Sequence, residues 1–289
     1  MFVSRGYLLD MTHRVPTMRT LQAIVDVLAR YRYTEFRPYS AAELPPDAVD
    51  FARLGAYCMM QGIEMVRTSP DDFERLYLGL DTVCASTEAS RSLAGRVEEM
   101  REKMQRAEDA GRGRARFLVT DFSDGYCWQP LVVSLPGIIL GGNFASSGAK
   151  AARMDLEREL NGVIDAPIGG YVLKLGTLYL RGGAMRPDAS EYFNILANDH
   201  GYSRHPGITQ FVLDDVSAVA RGVRIALERW TDRNDWAKEI SYAAHLLECA
   251  CHRRDESRLR ELRDEHGRIW RMRFSPEGRV ESLAKLPRF

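Results

Sequence analysis

The chain has 289 residues, 40 of them basic and 40 acidic, so its formal net charge is zero. That balance argues against a partner such as nucleic acid or an anionic membrane, because binding either needs a net basic face. The longest strongly apolar run, 131–140, is interrupted by Ser134 and Pro136 and falls short of the ~20 residues that span a bilayer.

In chain order, residues 6–12 (GYLLDMT) read as a buried strand ending in polar residues. Pro16 and Thr17 then open an amphipathic helix with Leu21, Ile24, Val25 and Leu28 at helical spacing. Residues 33–39 read as a second strand, 47–61 as a helix closed by Gly62, and 63–67 as a third short strand. This β-α-β-α-β order with short connections predicts parallel strands and right-handed crossovers. A short helix at 71–77 and a weak strand at 80–84 follow. One long polar helix is predicted over 88–111, then the clearest strand of all at 115–121 (ARFLVTD). From 131 onward the pattern is helical, in segments 131–145, 147–161, 167–181, 189–198, 208–230, 234–253 and 256–273. Residues 182–183 and 199–207 are the expected loops.

Five strands before residue 122 are too few for an eight-unit barrel, which needs about 240 residues of alternating strand and helix. The expected fold is therefore α/β: an incomplete or abridged TIM-barrel-like parallel β/α unit over 1–130, with a mostly α-helical C-terminal half, 131–289, packed on it. The sheet edge left open by missing strands needs a cover. Helices of the second half or a partner subunit would supply it, and a homodimer is the expectation. The early Asp10 leaves no room for a signal-peptide core, and the five cysteines form no CxxC pair, so a reduced, cytoplasmic protein without a zinc site is expected.

Several segments together resemble glycoside hydrolase family 20, in its bacterial β-N-acetylhexosaminidase-like branch. Residues 5–39 (RGYLLDMTHRVPTMRTLQAIVDVLARYRYTEFRPY) are similar to that branch's opening βαβ, with its RG-hydrophobic-LD-x-x-R-VPT pattern. AYCMMQGIEMV (56–66) resembles its second helix and third strand. VCASTEASRSLAGRVEEM (83–100) resembles its seventh strand and following helix. FLVTDFSDGYCWQPLVVSLPGIILGG (117–142) resembles its eighth strand and loop, and GRIWRMRFSPEGRVESLAKL (267–286) its closing segment. The resemblance implies a carbohydrate-active protein that binds or processes an amino-sugar-like small polar metabolite, with no cofactor. The chain passes from Arg67 to the seventh-strand equivalent near residue 80. The strand that would carry the family's catalytic Asp-Glu pair is therefore absent. The only Asp-Glu dipeptides, Asp255-Glu256 and Asp264-Glu265, lie in the Arg-rich C-terminal helices. The family's tryptophan is Ala89 here and its histidine Cys127. A catalytically inactive binding or scaffold protein and a repurposed isomerase, cyclase or hydrolase stand beside the glycosidase reading, so whether the chain is an enzyme stays open.

Sites in parallel α/β folds form at the carboxyl ends of strands. Asp121 and Asp124 flank a turn after a buried strand and are, with Asp10, the acid/base candidates; loop bracing is the alternative role for such aspartates. His13, Tyr39, Arg67, Tyr126 and Trp128 are candidate substrate contacts on the same rim, the two last as a stacking surface for a sugar face or as packing. By the resemblance, Arg5 is the arginine that contacts sugar hydroxyls, although it sits at the start of its strand; a salt bridge is the competing role. Asp10, His13, Asp121 and Asp124 have metal-donor chemistry, but their spacing demands no ion, and no metal is expected. Cys84 and Cys127 are read as buried and inert, and Met59, Met60 and Met65 as core filling.

Overall fold

The computed structural model describes residues 2–45, 47–79, 81–87, 89–111, 114–123, 125–181, 189–197, 206–232, 234–252 and 255–287. Five strands form one parallel sheet: β1 (Ser4–Asp10), β2 (Glu35–Tyr39), β3 (Glu64–Met65), β4 (Thr82–Ser86) and β5 (Arg116–Asp121). Their order across the sheet is β3-β2-β1-β5-β4, so the first strand lies between the second and the last. Helices α1 (Met18–Arg30), α2 (Phe51–Met60), α3 (Pro70–Leu78), α4 (Val97–Ala110) and α5 (Leu135–Ser147) accompany the sheet. The remainder is helical: α6 (Leu156–Ile164), α7 (Gly169–Gly176), α8 (Glu191–Ala197), α9 (Gln210–Thr231), α10 (Asp235–Cys251), α11 (Glu256–Arg273) and α12 (Arg279–Lys285).

All five predicted strands are present in parallel, but β3 keeps only two of its five expected residues. The predicted helix over 88–111 begins only at Val97. Arg91, Leu93 and Gly95 adopt positive φ (51°, 61° and 92°), a left-handed backbone that no α-helix can incorporate. A break at Gly148, with φ of 58°, likewise separates α5 from the segment before α6. Helix α12 was not expected. It starts after Gly278, whose φ of 77° and whose missing Cβ, which would lie 1.9 Å from the His13 carbonyl oxygen, leave room for glycine only. Of the expected loops, 182–183 and most of 199–207 lie outside the described residues.

Strand alternation gives the sheet two unlike faces. One carries Tyr7, Leu9, Phe36, Phe117 and Val119, all in the main apolar core. Helices cover it: α5 packs on β1 and β5 between α1 and α4. The α5 backbone comes close at Gly141, where a Cβ would sit 2.3 Å from Val119. Helix α1 turns Leu21, Ile24, Val25 and Leu28 into this layer, as the spacing predicted, and Thr17 caps its first turn. The register sets Gly6 beside Glu35 and Leu118, and Leu8 beside Arg37 and Thr120. These residues make the second face, which is largely polar. Leu8 and Leu118 are buried there but apart from the main core. Helix α3 packs against β4 and brings Asp72, Arg75 and Leu76 to this side.

In the C-terminal half, α10 is the central helix. It packs against α7, α8, α9 and α11 and is buried around nearly its whole circumference. The chain's end returns to its beginning. Thr17 donates its N–H to the Arg273 carbonyl, Ser275 donates to the Val15 carbonyl, and Pro16 and Phe274 form an antiparallel bridge. Among the described residues no helix is long and apolar enough to cross a membrane.

Candidate functional site

The carboxyl ends of β1 and β5 place Asp10 and Asp121 at the same height but on opposite faces. Asp121 is the register partner of Leu9, so it points with Leu9 and Tyr7 into the helical layer, whereas Asp10 follows the polar face. Asp121 is 1% exposed, and both its oxygens are taken: Tyr7 donates its hydroxyl at 2.7 Å and Thr87 at 3.0 Å. Burial, reinforced by the neighbouring Asp121 carboxylate, holds the Tyr7 phenol well above its ordinary pKa, so it stays a donor. Asp10 accepts the Thr12 N–H at 2.9 Å and hydroxyl at 2.6 Å on one oxygen, and the Ser123 N–H at 3.3 Å on the other. Burial raises the Asp10 pKa, partly offset by the Thr12 and Ser123 hydrogen bonds. The two aspartates thus brace the rim from separate sides and do not converge on one cavity. Asp124 lies outside the described residues. Truncating Asp121 to alanine strands two buried hydroxyls. The expected cost is about 1–3 kcal/mol in urea unfolding, and an unchanged midpoint would refute the bracing role.

The other candidates also separate. Arg5 sits at the amino end of β1, roughly 16 Å from Asp10 along the strand at ~3.3 Å per residue. Its guanidinium donates to the carbonyls of Arg32 and Phe2. His13 is 3.5 Å from Glu281 of α12. Trp128 is 1% exposed and donates its indole N–H to the Ser282 carbonyl at 3.1 Å, so neither ring face is open to a ligand. Tyr126 packs edge-on against Trp128 and Phe193, with the Lys285 ammonium 5.1 Å from its ring centre.

Tyr39 and Arg67 are the two candidates that share a groove. They line a groove of about 800 Å3 at the carboxyl ends of β2 and β3, a size suited to a small molecule. A bridge between Tyr39 and Thr68 ties the two strand ends. Ser40, Glu43, Thr68, Ser69 and Asp72 supply hydroxyls and carboxylates to the walls, and Met11, Leu44, Pro45 and Phe51 supply apolar surface. Arg67 lies 4.3 Å above the Phe51 ring, a cation–π contact within the groove wall. Ser69 and Asp72 form a capping box with Pro70 in the first turn of α3, so this wall is fixed by local chemistry. Tyr39 is held on its other side by Phe73, at 5.3 Å, and Phe122, at 6.5 Å. Burial and the nearby Asp10 raise the Tyr39 pKa, keeping the phenol protonated as a donor.

Sequence reasoning missed the Glu35–Arg37 pair on the polar face beneath this groove. Glu35 accepts the Arg37 Nε–H at 2.8 Å, and Ser4 also donates to it. Burial works against the Glu35 charge, but Ser4 and Arg37 outweigh it and leave its pKa lowered. The period-two placement of Glu35, Arg37 and Tyr39 in EFRPY was the available signal. Cys84 lies on the same face, and burial pushes its thiol up to about 11, which disfavours the thiolate. Among the described residues no group of three His, Cys, Asp or Glu side chains is placed to hold a metal ion. No protein-family model matches the chain, and no curated protein matches it.

Proposed function

We propose that the chain binds a sugar-like small polar molecule in the groove over β2 and β3 without cleaving it. The observation that carries this reading is the groove itself, where a protonated Tyr39, a stacked Arg67 and several hydroxyls surround a cavity of ligand size at the usual end of a parallel sheet. Glycoside cleavage needs a carboxylic acid free to protonate the leaving oxygen and a second carboxylate that attacks the sugar, activates water or, in family 20, orients the substrate's own acetamido nucleophile. Asp121 spends both oxygens on Tyr7 and Thr87, and Asp10 spends both on Thr12 and Ser123. The strand order is compatible with an abridged barrel. A closed barrel that lost its middle strands would keep its last strand paired to its first, as β5 pairs with β1 here. On this reading α3 bridges the gap left by those strands.

The test is thermal-shift and calorimetric titration with N-acetylglucosamine and related amino sugars, beside an assay with an aryl N-acetylglucosaminide. Stabilisation by the sugar, lost on Tyr39→Ala, with no turnover, is the expected result. Turnover abolished by Asp121→Asn would overturn the binding-only reading. Sugar binding untouched by Tyr39→Ala would move the site elsewhere.

A further inference from the structure

The polar face of the sheet and α3 enclose a second hollow of about 360 Å3. Four arginines line it: Arg37, Arg67, Arg75 and Arg116. Two aspartates, Asp72 and Asp81, face them. Arg67 and Asp72 also line the groove over β2 and β3, so the two hollows share a wall. Their charges do not cancel. Glu35 engages Arg37 through both Nε and Nη2. Asp72 caps α3 through Ser69 and lies 4.0 Å from Arg75. Of the acids that line the hollow, that leaves Asp81 for Arg67 and Arg116. Neither forms a salt bridge among the described residues. Arg67 rests on the Phe51 ring, and Arg116 acts on Glu35, already paired, only by longer-range attraction. The hollow therefore has one positive charge in excess, carried on guanidinium forks whose geometry matches a planar or tetrahedral oxyanion.

We propose that this hollow takes the anionic group, carboxylate or phosphate, of an acidic sugar whose neutral ring occupies the adjoining groove. The inference rests on the sugar-binding reading of that groove and names the ligand class. Burial of Arg37 and Glu35 at the base of the hollow gives the oxyanion a floor that is partly shielded from water, where charge–charge attraction is stronger than at an open surface.

The test is calorimetric titration of the full chain with N-acetylglucosamine, N-acetylglucosamine 6-phosphate, glucose, glucuronate and inorganic phosphate at low and high salt. One acidic sugar is expected to bind at least about tenfold more tightly than its neutral counterpart, with an advantage that shrinks as salt rises. Which of the two does so assigns the group as phosphate or carboxylate. Arg116→Gln should bring the acidic sugar's affinity down to that of the neutral one, and Arg116→Lys should keep part of the difference. A circular-dichroism melt confirms that each variant folds. Equal affinity for acidic and neutral sugars would overturn this inference and leave the groove reading standing. Binding of inorganic phosphate, weakened by Arg116→Gln, with no gain from a sugar ring would keep the anion site and overturn the groove reading. Binding of no anion, or of anions with no effect of Arg116→Gln, overturns the proposal.

Discussion

Replacing Glu239 by alanine is expected to cost the fold about 3–5 kcal/mol, among the largest effects of any single substitution in this chain. Glu239 is fully buried in α10, with one oxygen accepting the Val132 N–H at 2.7 Å and the other accepting the Arg273 Nε–H. It thereby ties the central helix to the segment that follows β5 and to the last turn of α11. Burial pushes its carboxyl up, and Arg273 and the Val132 N–H pull it back. Arg273 is itself buried, 4.2 Å above the Trp236 ring. Alanine removes the counter-charge and leaves this guanidinium stranded with an orphaned backbone donor beside it. The loss comes mainly from the stranded partner, so removing both charges should hurt less than removing one. The double variant Glu239→Leu with Arg273→Met is expected to recover most of the stability lost by Glu239→Ala in urea unfolding. A single-variant loss under about 1 kcal/mol, or strictly additive losses in the double variant, would show that the pair does not act as a unit.

Much of the α/β half was legible because its signals are local. The apolar runs of β1 and β5, the threonine cap of α1 and the spacing of Leu21, Ile24, Val25 and Leu28 all report on neighbours within a few residues. The parallel arrangement followed from connection lengths. The helix expected over 88–111 failed because composition does not reveal that Arg91 and Leu93 take left-handed backbone, which tertiary packing imposes. Helix α12 is seven residues long and carries no strong periodicity. The site was half legible for a related reason. A polar residue after a buried strand correctly placed Asp10 and Asp121 at the carboxyl rim. Which face each one takes depends on cross-strand register, here Leu9 beside Asp121, and nothing in either strand alone encodes that pairing. Trp128 was read as a possible stacking surface because its partner, the Ser282 carbonyl, lies 154 residues away.

That same long-range contact leads to the second large effect, a loss of stability in mild acid centred on His266. The ring is buried between α10 and α12, with Nδ1 2.7 Å from the Tyr242 hydroxyl and Nε2 3.1 Å from the Ser282 hydroxyl oxygen. Ser282 gives its own proton to the Tyr126 carbonyl, so its oxygen accepts from an Nε2–H. Nδ1 then bears the lone pair and accepts from Tyr242. Both nitrogens are satisfied only in the neutral ring. Burial, with Arg263 and Arg14 adding repulsion, depresses the His266 pKa to about 3. In the unfolded chain a histidine titrates near 6.5. Its contribution is thus complete above pH ~6.5 and declines as pH falls toward about 3, because only the unfolded chain takes up the proton. At roughly 1.4 kcal/mol per pH unit, about 2 kcal/mol is lost between pH 7.5 and pH 5. Glu35 and Glu281, whose pKa values are lowered, lose their contributions as pH falls from the ordinary carboxylate range downward, below this window. His266→Gln retains an amide donor toward Ser282 but cannot titrate. It should be less stable than the parent at pH 7.5, yet its stability should fall about 2 kcal/mol less on going to pH 5. Parallel pH profiles for parent and variant would assign the acid sensitivity to other groups.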